Sequence, residues 1–351
     1  MVFQTNILNF IGGEDVIDAA VNYNTIIFSG SIFIVEMAIL SGILRAEGDM
    51  NRSLYIMALS SVLNSLLDPV LMFYFNMDIQ GAALSTVISS IIPCLLMLYW
   101  LVIKEDTYSK LKKEFLKIDF SIMYKLLSVG IPASLETICI AIQLALVNTF
   151  LADLISTNAV AAYTSAMRIM LFGTIPSVGL RLTSVSLIGA SFGGGKFKRI
   201  KDIFHYGTKL SIYIDLVIGI IVFIFAPQIA MIFNYSGDAS PLINDIVLVL
   251  RLMLLFFLSQ PIGSMCSGYF QGIGNGNLSL LTTFIQELVC PLSFMLIFIN
   301  AFKPSLTLII LSVVLGKITG AIISWSGTNF HANRNIRKYG FENESIVKSN
   351  L

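Results

Sequence analysis

The sequence carries little charge for its length: 12% of its 351 residues are Asp, Glu, Lys or Arg, whereas soluble domains average about 25%. Its net charge of +1 provides no basic field, which argues against nucleic acid as a partner. The two histidines, His205 and His331, stand alone, and the four cysteines show no CxxC spacing, so no metal site or disulfide framework is expected. With 56% hydrophobic residues, the composition indicates an all-α integral membrane protein, a polytopic helical bundle.

Apolar runs of about 20 residues recur along the chain, each long enough to cross a ~30 Å hydrocarbon layer as a helix. Lysine-rich loops alternate with acidic turns, and the positive-inside rule places these loops and the C-terminus in the cytoplasm. We therefore expect a multi-pass protein of the cell (plasma) membrane. The predicted spans are 24–44, 53–75, 81–103, 122–152, 158–190, 206–233, 243–270, 278–300 and 304–326.

The chain contains an internal repeat. SGILRAEGDMNRSL, which starts at Ser41, aligns without gaps on SGYFQGIGNGNLSL, which starts at Ser267, at an offset of 226 residues (267 − 41). Hydropathy extends the repeat, so that the first three spans correspond to the last three. We expect about nine helices from a twelve-helix, two-lobe design. The predicted domains are an incomplete N-terminal lobe at 1–120 (the end of helix 3, helices 4–6 and a basic linker), a six-helix C-terminal lobe at 121–330 and a cytoplasmic tail at 331–351.

Asp68 lies in an otherwise apolar span, where a carboxylate costs several kcal/mol unless it is paired, protonated or in contact with water. Asn64 precedes it by four residues and shares its helix face. Counting from the turns puts Thr86 and Glu36 at a similar depth. Oxygen ligands of this kind suit a hard cation such as Na⁺, and a desolvated aspartate can instead carry a proton. The expected cation-binding residues are Asp68, Asn64, Thr86 and Glu36, with Pro69 as a helix hinge.

Pro69 removes one backbone hydrogen bond and leaves the Ser65 carbonyl as a further candidate ligand. Binding of Na⁺ or a proton would neutralise Asp68 and let the helix bend at Pro69. A structural alternative stays open, in which Asp68 caps the restart of a proline-broken helix and binds nothing.

LRAEGD, NSLLDPVLMF and GAALSTVIS, in that order and spacing, resemble the MATE (multidrug and toxic compound extrusion) transporter family, and most closely its DinF-like prokaryotic branch. GIPASLE and SLIGASFGGGKFKRIK agree with this resemblance, which covers essentially the whole chain. It implies two six-helix bundles and export driven by Na⁺ or H⁺ antiport, with Asn64, Asp68 and Thr86 helping to bind the coupling cation. The family's first helix, which supplies another Asp, has no counterpart here, so the chain is expected to be N-terminally truncated.

Five other charged positions invite predictions. Glu136 and Arg168 lie on either side of an outer turn, and they form either a structural pair or part of a substrate cavity. Asp215 is expected nearer the inner side, in contact with interfacial water. Glu287 and Lys317 are expected to be structural if they pair.

The leading hypothesis is a cation-coupled (Na⁺ or H⁺) antiporter that exports organic, cationic or amphipathic compounds as two bundles rock around a cavity. The alternatives are a lipid-linked oligosaccharide flippase of the wider superfamily and a non-transporting truncated remnant. An enzyme is not expected, because AEGD lacks the first glycine of the intramembrane protease motif GxGD. The expected partners are a small-molecule substrate and the lipid bilayer. We expect a monomer, with another chain as an open source of the missing helices, and no cofactor or metal beyond a coupling Na⁺ at Asp68.

Overall fold

The computed structural model describes residues 17–104, 119–232 and 240–349, and these residues form helices without any β-strand. Within them, nine helices are long and apolar enough to cross a membrane. The all-α, polytopic fold expected from the composition is therefore confirmed. The acidic residues Glu14 and Asp15 and most of the lysine-rich loop before residue 119 lie outside the described residues.

The chain divides into two compact units, an N-terminal unit (Met1–Ile118) and a C-terminal unit (Asp119–Leu351). In the N-terminal unit, both α1 and α2 pack against α3. Buried side chains of all three helices, among them Leu44, Ile56 and Met97, form its apolar core. Its described helices are α1 (Ile17–Ala46), α2 (Met50–Pro69) and α3 (Asp78–Leu98), with π-helical continuations at Val70–Tyr74 and Tyr99–Lys104.

Local sequence signals account for the tight connections in this unit. Gly48 adopts a φ of 87° in the turn between α1 and α2, a conformation that glycine reaches without steric cost. Asp49 then caps α2 by accepting a hydrogen bond from the Arg52 amide at 3.1 Å. At Gly81, an added Cβ would lie 2.8 Å from the Leu71 carbonyl carbon. The absence of a side chain at Gly81 therefore lets α3 pack directly on the backbone that follows Pro69.

In the C-terminal unit, α10 packs against α6, α7 and α13, and α11 packs against α4. A 3₁₀ turn (Met253–Leu255) joins α9 to α10, and a π-helical segment (Ile285–Val289) joins α11 to α12. The described helices are α4 (Phe120–Leu154), α5 (Thr157–Gly173), α6 (Ile175–Gly193), α7 (Phe197–Ile224), α8 (Ala226–Ile232), α9 (Ser240–Leu252), α10 (Phe256–Gly272), α11 (Gly276–Phe284), α12 (Cys290–Ala301) and α13 (Leu306–Ser349).

Two boundaries differ from the sequence analysis. The single span expected at 158–190 is two helices, α5 and α6, which meet at Thr174. Pro176 has no N–H group with which to continue the hydrogen-bond ladder of α5, which accounts for the break. At the other end, α13 continues to Ser349, so the segment 331–351 begins inside a helix and not after one.

Candidate functional site

The structure brings Asn64, Asp68 and Thr86 together, as the sequence analysis predicts. Asn64 Nδ2 lies 3.5 Å from Asp68 Oδ1 and 3.4 Å from Thr86 Oγ1, and it donates a 3.1 Å hydrogen bond to Ser85 Oγ. Ser85 in turn donates its hydroxyl hydrogen to Asp68 Oδ1. The cluster thus joins α2 to α3 through one carboxylate, one amide and two hydroxyl groups.

The two oxygens of Asp68 have different surroundings. Oδ1 accepts hydrogen bonds from Asn64 and Ser85, whereas Oδ2 accepts none from the described residues. No Lys or Arg side chain in that part of the chain pairs with Asp68. Asp68 is partly exposed, so its carboxylate is not sealed inside the apolar core of the unit.

Helix α2 changes form directly after this carboxylate. It ends as an α-helix at Pro69, and the next five residues, Val70–Tyr74, form a π-helical turn. Proline disrupts the α-helical ladder, and π-turns inside helices often occur at functional sites. Pro69 therefore marks a break in the helix next to Asp68, in the place where the sequence analysis puts a hinge.

Glu36 and Ser85 differ from the expected ligand set. Glu36 lies on α1 and is partly buried, but no hydrogen bond joins it to Asn64, Asp68 or Thr86 in the described part of the chain. Ser85 is fully buried and contacts Asp68 directly, and the sequence analysis missed it. Its position next to Thr86 was the available signal, since consecutive helix residues can both reach a neighbouring helix.

A second carboxylate, Glu136 on α4, is enclosed in the C-terminal unit with only 7% of its surface exposed. Ser267 donates to its Oε2 at 2.7 Å, and Thr283 donates to the same oxygen at 3.2 Å. Ser279 donates to Oε1, as does Gln271 at 3.2 Å. These donors come from α10 and α11, so Glu136 ties α4 to both helices.

Every hydrogen-bond donor to Glu136 is an uncharged side chain. The nearest basic group in this network is Arg181, whose Nη1 donates to Gln271 Oε1 at 3.2 Å while Gln271 Nε2 faces Glu136. Glu136 therefore has no direct ion pair among the described residues, and four neutral donors offset the cost of burying its carboxyl group. The sequence analysis did not identify these donors, although three of them, Ser267, Gln271 and Ser279, lie inside the repeat.

Glu136 lies in the wall of a cavity of about 230 Å³. The charged residues of this wall are Glu136, Arg181 and Glu287. Hydroxyl and amide side chains make up most of the remaining lining, including Ser264, Thr283, Gln260 and Gln286, and the apolar part is Ala133, Ile140 and Val178. Most residues of the lining are therefore polar, with a smaller apolar group beside Glu136.

The expected pair of Glu136 and Arg168 does not form. Arg168 is exposed on α5 and does not line the cavity around Glu136, so its role in contacting a substrate stays a prediction. Counting residues from a turn estimates depth, but it does not fix the direction in which a side chain leaves its helix.

Two further charged positions are settled by the structure. Lys317 on α13 forms a buried salt bridge with Glu287, and its Nζ lies 5.3 Å from the centre of the Phe256 ring. Glu287 and Lys317 therefore meet the condition under which the sequence analysis expects them to be structural. Asp215, in contrast, has no exposed surface, and the expectation that it contacts interfacial water is wrong.

No group of three or more His, Cys, Asp or Glu side chains is placed to hold a metal ion among the residues that the structure describes.

The MatE family model matches residues 1–70 and 132–297 of the sequence. The chain belongs to the MatE family. This confirms the resemblance drawn from the LDP and GAALST segments. It also agrees with the expectation that the protein is not an enzyme, and with the nine apolar helices in the described residues it supports a multi-pass membrane protein.

Relatives and solved structures extend the match. The probable multidrug resistance protein YoeA of Bacillus subtilis is 28% identical over 263 residues, which are 73% of this chain and 57% of YoeA. A crystal structure of MATE in complex with MaL6 superimposes with a TM-score of 0.90 at 30% identity, over 95% of this chain and 74% of that chain. A structure of a multidrug resistance MATE family transporter of the MOP superfamily, in an outward-facing conformation, superimposes with a TM-score of 0.88 at 30% identity. The match covers 92% of this chain and 71% of that chain. The chain thus spans less than two thirds of the length of YoeA.

Proposed function

We propose that this MatE chain acts as a cation-coupled antiporter that exports organic, cationic or amphipathic compounds. The observation that carries the proposal is the Asp68 carboxylate, which lies in a candidate spanning helix and has no basic partner among the described residues. An unpaired carboxylate in a membrane is costly unless a counter-charge neutralises it. A cation that binds and leaves supplies such a counter-charge for part of each cycle.

The coupling ion is Na⁺ or H⁺, and it binds at the free Oδ2 of Asp68. The Thr86 hydroxyl group and the Asn64 amide lie beside this carboxylate. For Na⁺ they offer oxygen ligands, provided that the Asn64 amide presents its oxygen, and the assignment of amide oxygen and nitrogen follows from the hydrogen-bond network. For a proton, Oδ2 alone is sufficient, while Ser85 and Asn64 hold Oδ1 in place.

Neutralisation of Asp68 acts on a helix that is already interrupted. The break at Pro69 and the π-helical turn Val70–Tyr74 directly follow the site. Loss of the charge weakens the charge-assisted bonds from Asn64 and Ser85. We infer that α2 then changes its bend at Pro69, which links cation binding to a change in the N-terminal unit.

The cavity around Glu136 is the proposed contact for the positive group of a substrate. Glu136 is the acidic group of that wall without a directly paired opposite charge in the described residues, because Lys317 neutralises Glu287, and the nearby Arg181 contacts the neutral Gln271. An organic cation placed there gains an ion pair with Glu136 and apolar contacts with Ile140 and Val178. A protein that moves a pyrophosphate-linked oligosaccharide needs several basic groups instead, so the described lining favours the exporter over the flippase.

The proposal is tested by export of a fluorescent organic cation, ethidium, from cells that express the chain and from proteoliposomes with an imposed Na⁺ or H⁺ gradient. Asp68→Asn is expected to abolish gradient-driven export, because the amide keeps the shape of the carboxylate but cannot be charged. Asp78→Asn is the matched control. It makes the same change at an exposed position of the α2–α3 turn, where a φ of 46° also suits asparagine.

Equal export by the parent and by Asp68→Asn would show that Asp68 does not couple the cation. An absence of export from the parent itself would instead favour the non-transporting remnant. A cysteine introduced into the tail can be labelled in intact cells. Its accessibility tests the proposed plasma-membrane location and cytoplasmic C-terminus in the same preparation.

A further inference from the structure

Asp215 on α7 is a buried carboxylate that the proposed transport cycle does not use. Its side chain has no exposed surface, and neither carboxylate oxygen has a hydrogen-bond partner among the described residues. Buried carboxylates in proteins are normally paired or hydrogen-bonded, because an isolated buried charge is far less stable than a hydrated one. The structure therefore leaves a negative charge unaccounted for in the core of the C-terminal unit.

Two serine hydroxyl groups share this environment. Ser211 lies one helical turn before Asp215 on the same face of α7, and its buried Oγ also lacks a partner. Ser177 faces Asp215 from α6, and it donates its hydroxyl hydrogen to the Thr174 carbonyl at 2.9 Å. The hydrogen of Ser177 is thus engaged elsewhere, while its oxygen lone pairs stay available. The hydroxyl hydrogen of Ser211 makes no hydrogen bond to Asp215, so the carboxylate oxygens are not satisfied by either serine.

No basic side chain compensates the charge. The basic groups on the helices packed against α7 are engaged elsewhere: Arg181 donates to Gln271, Lys317 pairs with Glu287, and Arg251 lies over the ring of Phe223 at 5.7 Å. Each of these groups therefore has a partner that is not Asp215, and Arg168 on α5 and Arg334 on α13 are exposed. Within the described residues no salt bridge reaches Asp215, so a bound cation or proton is the candidate for its counter-charge.

We propose that Asp215, Ser211 and Ser177 form an occluded binding site for one monovalent cation, either Na⁺ or a proton. One positive charge neutralises the carboxylate, and the acceptor oxygens supply the ligands. Na⁺ would be bound by Asp215 and the two serine oxygens, with main-chain carbonyls or water completing its shell. A proton would bind one Asp215 oxygen, and the resulting carboxylic O–H group would donate a hydrogen bond to Ser177 Oγ. This site is on α7 of the C-terminal unit and is independent of the coupling role proposed for Asp68.

The experiment measures thermal unfolding of the purified full chain in detergent, with Na⁺ replaced by choline at constant ionic strength and pH. Infrared difference spectra of the parent and of Asp215→Asn, in H₂O and D₂O, detect a protonated carboxylic acid in the same preparations. Asp215→Asn is expected to fold, because it removes the charge that needs neutralisation. Asp153→Asn is the matched control, since Asp153 is exposed at the end of α4.

Two results support the proposal and identify the cation. Stabilisation by Na⁺ that disappears in Asp215→Asn but persists in Asp153→Asn assigns Na⁺. In that case Ser211→Ala is expected to lower the affinity for Na⁺. The Na⁺ concentration that gives half-maximal stabilisation then rises roughly tenfold, the factor that corresponds to about 1.4 kcal/mol. Stability independent of Na⁺, together with a carboxylic acid band that is absent from Asp215→Asn, assigns a proton.

The proposal is overturned if neither signal depends on Asp215, which would mean that the carboxylate is ionised and hydrated. Asp68→Asn separates this site from the transport proposal. If the Na⁺ or carboxylic acid signal belongs to Asp215, it persists in Asp68→Asn whether or not that variant exports ethidium. A signal lost in Asp68→Asn and retained in Asp215→Asn contradicts the Asp215 site and leaves the transport proposal intact.

Discussion

Ser41 and Ser53 hydrogen-bond to each other through their hydroxyl groups at 2.8 Å. Their repeat partners, Ser267 and Ser279, do the same at 3.0 Å, so the repeat seen in the sequence is also a repeat in side-chain geometry. The two pairs differ in the residue beside them. Arg45 donates to Ser41 at 2.6 Å, whereas the equivalent residue in the second repeat is Gln271, which contacts Ser267 and Glu136. One serine pair is thus next to a cation and the other is next to an anion.

This difference predicts the effect of Gln271→Arg. The new guanidinium would lie where Gln271 Nε2 contacts Glu136 at 3.2 Å and would form the ion pair that Glu136 lacks. We expect affinity for ethidium to fall by tenfold or more, because the carboxylate is no longer available. Gln271→Met, which keeps the side-chain length without a charge, is expected to retain binding. Equal affinities in the two variants, measured by fluorescence titration, would argue against Glu136 as the contact for the cation.

Ser279→Ala is expected to destabilise the C-terminal unit. Ser279 donates to Glu136 and lies fully buried, so its removal leaves a buried carboxylate with one donor fewer, at a cost of about 1–3 kcal/mol. The control is Ser293→Ala, which removes an exposed hydroxyl group bonded only to its own helix. Denaturant titration in detergent measures both variants, and similar midpoints would contradict the structural role of Ser279.

The buried pair of Glu287 and Lys317 predicts strong coupling in a double-mutant cycle. Either Glu287→Gln or Lys317→Met leaves the partner charged and buried, which costs about 3–5 kcal/mol. The double variant removes both charges and is expected to lose much less stability than the sum of the two single changes. Additive losses in the unfolding free energy would show that the pair does not act as a unit.

Gly81→Ala is expected to disrupt the contact between α3 and the π-helical turn. The new Cβ would lie 2.8–2.9 Å from backbone atoms of Leu71 and Met72, which cannot move as a side chain can. Gly130→Ala is the matched control, because Gly130 is also in a helix but has no atom within 4 Å of the new Cβ. We expect Gly130→Ala to be neutral or stabilising by about 0.5–1 kcal/mol and Gly81→Ala to lower the unfolding temperature. The reverse order would mean that α3 and the π-turn are less closely packed than described.

Sequence reasoning located Asn64, Asp68 and Thr86 because the helix period and the short turn between α2 and α3 fix both their depth and their common face. Depth alone was insufficient elsewhere. Glu36, Arg168 and Asp215 were placed by counting residues from a turn, and that count does not determine rotation about the helix axis. The donors to Glu136 escaped notice for a related reason: serine, threonine and glutamine are ordinary helix residues until tertiary packing places them around a charge.

The wide turn after Pro69 has a mechanical consequence. A π-turn contains one residue more than an α-turn, and each residue of an α-helix advances about 100° around the axis. If Val70–Tyr74 tightened to α-helical spacing, everything beyond it would swivel by roughly that angle relative to Asp68. The aromatic side chains of Phe73, Tyr74 and Phe75, which are exposed here, would then move around the helix axis beside the turn between α2 and α3.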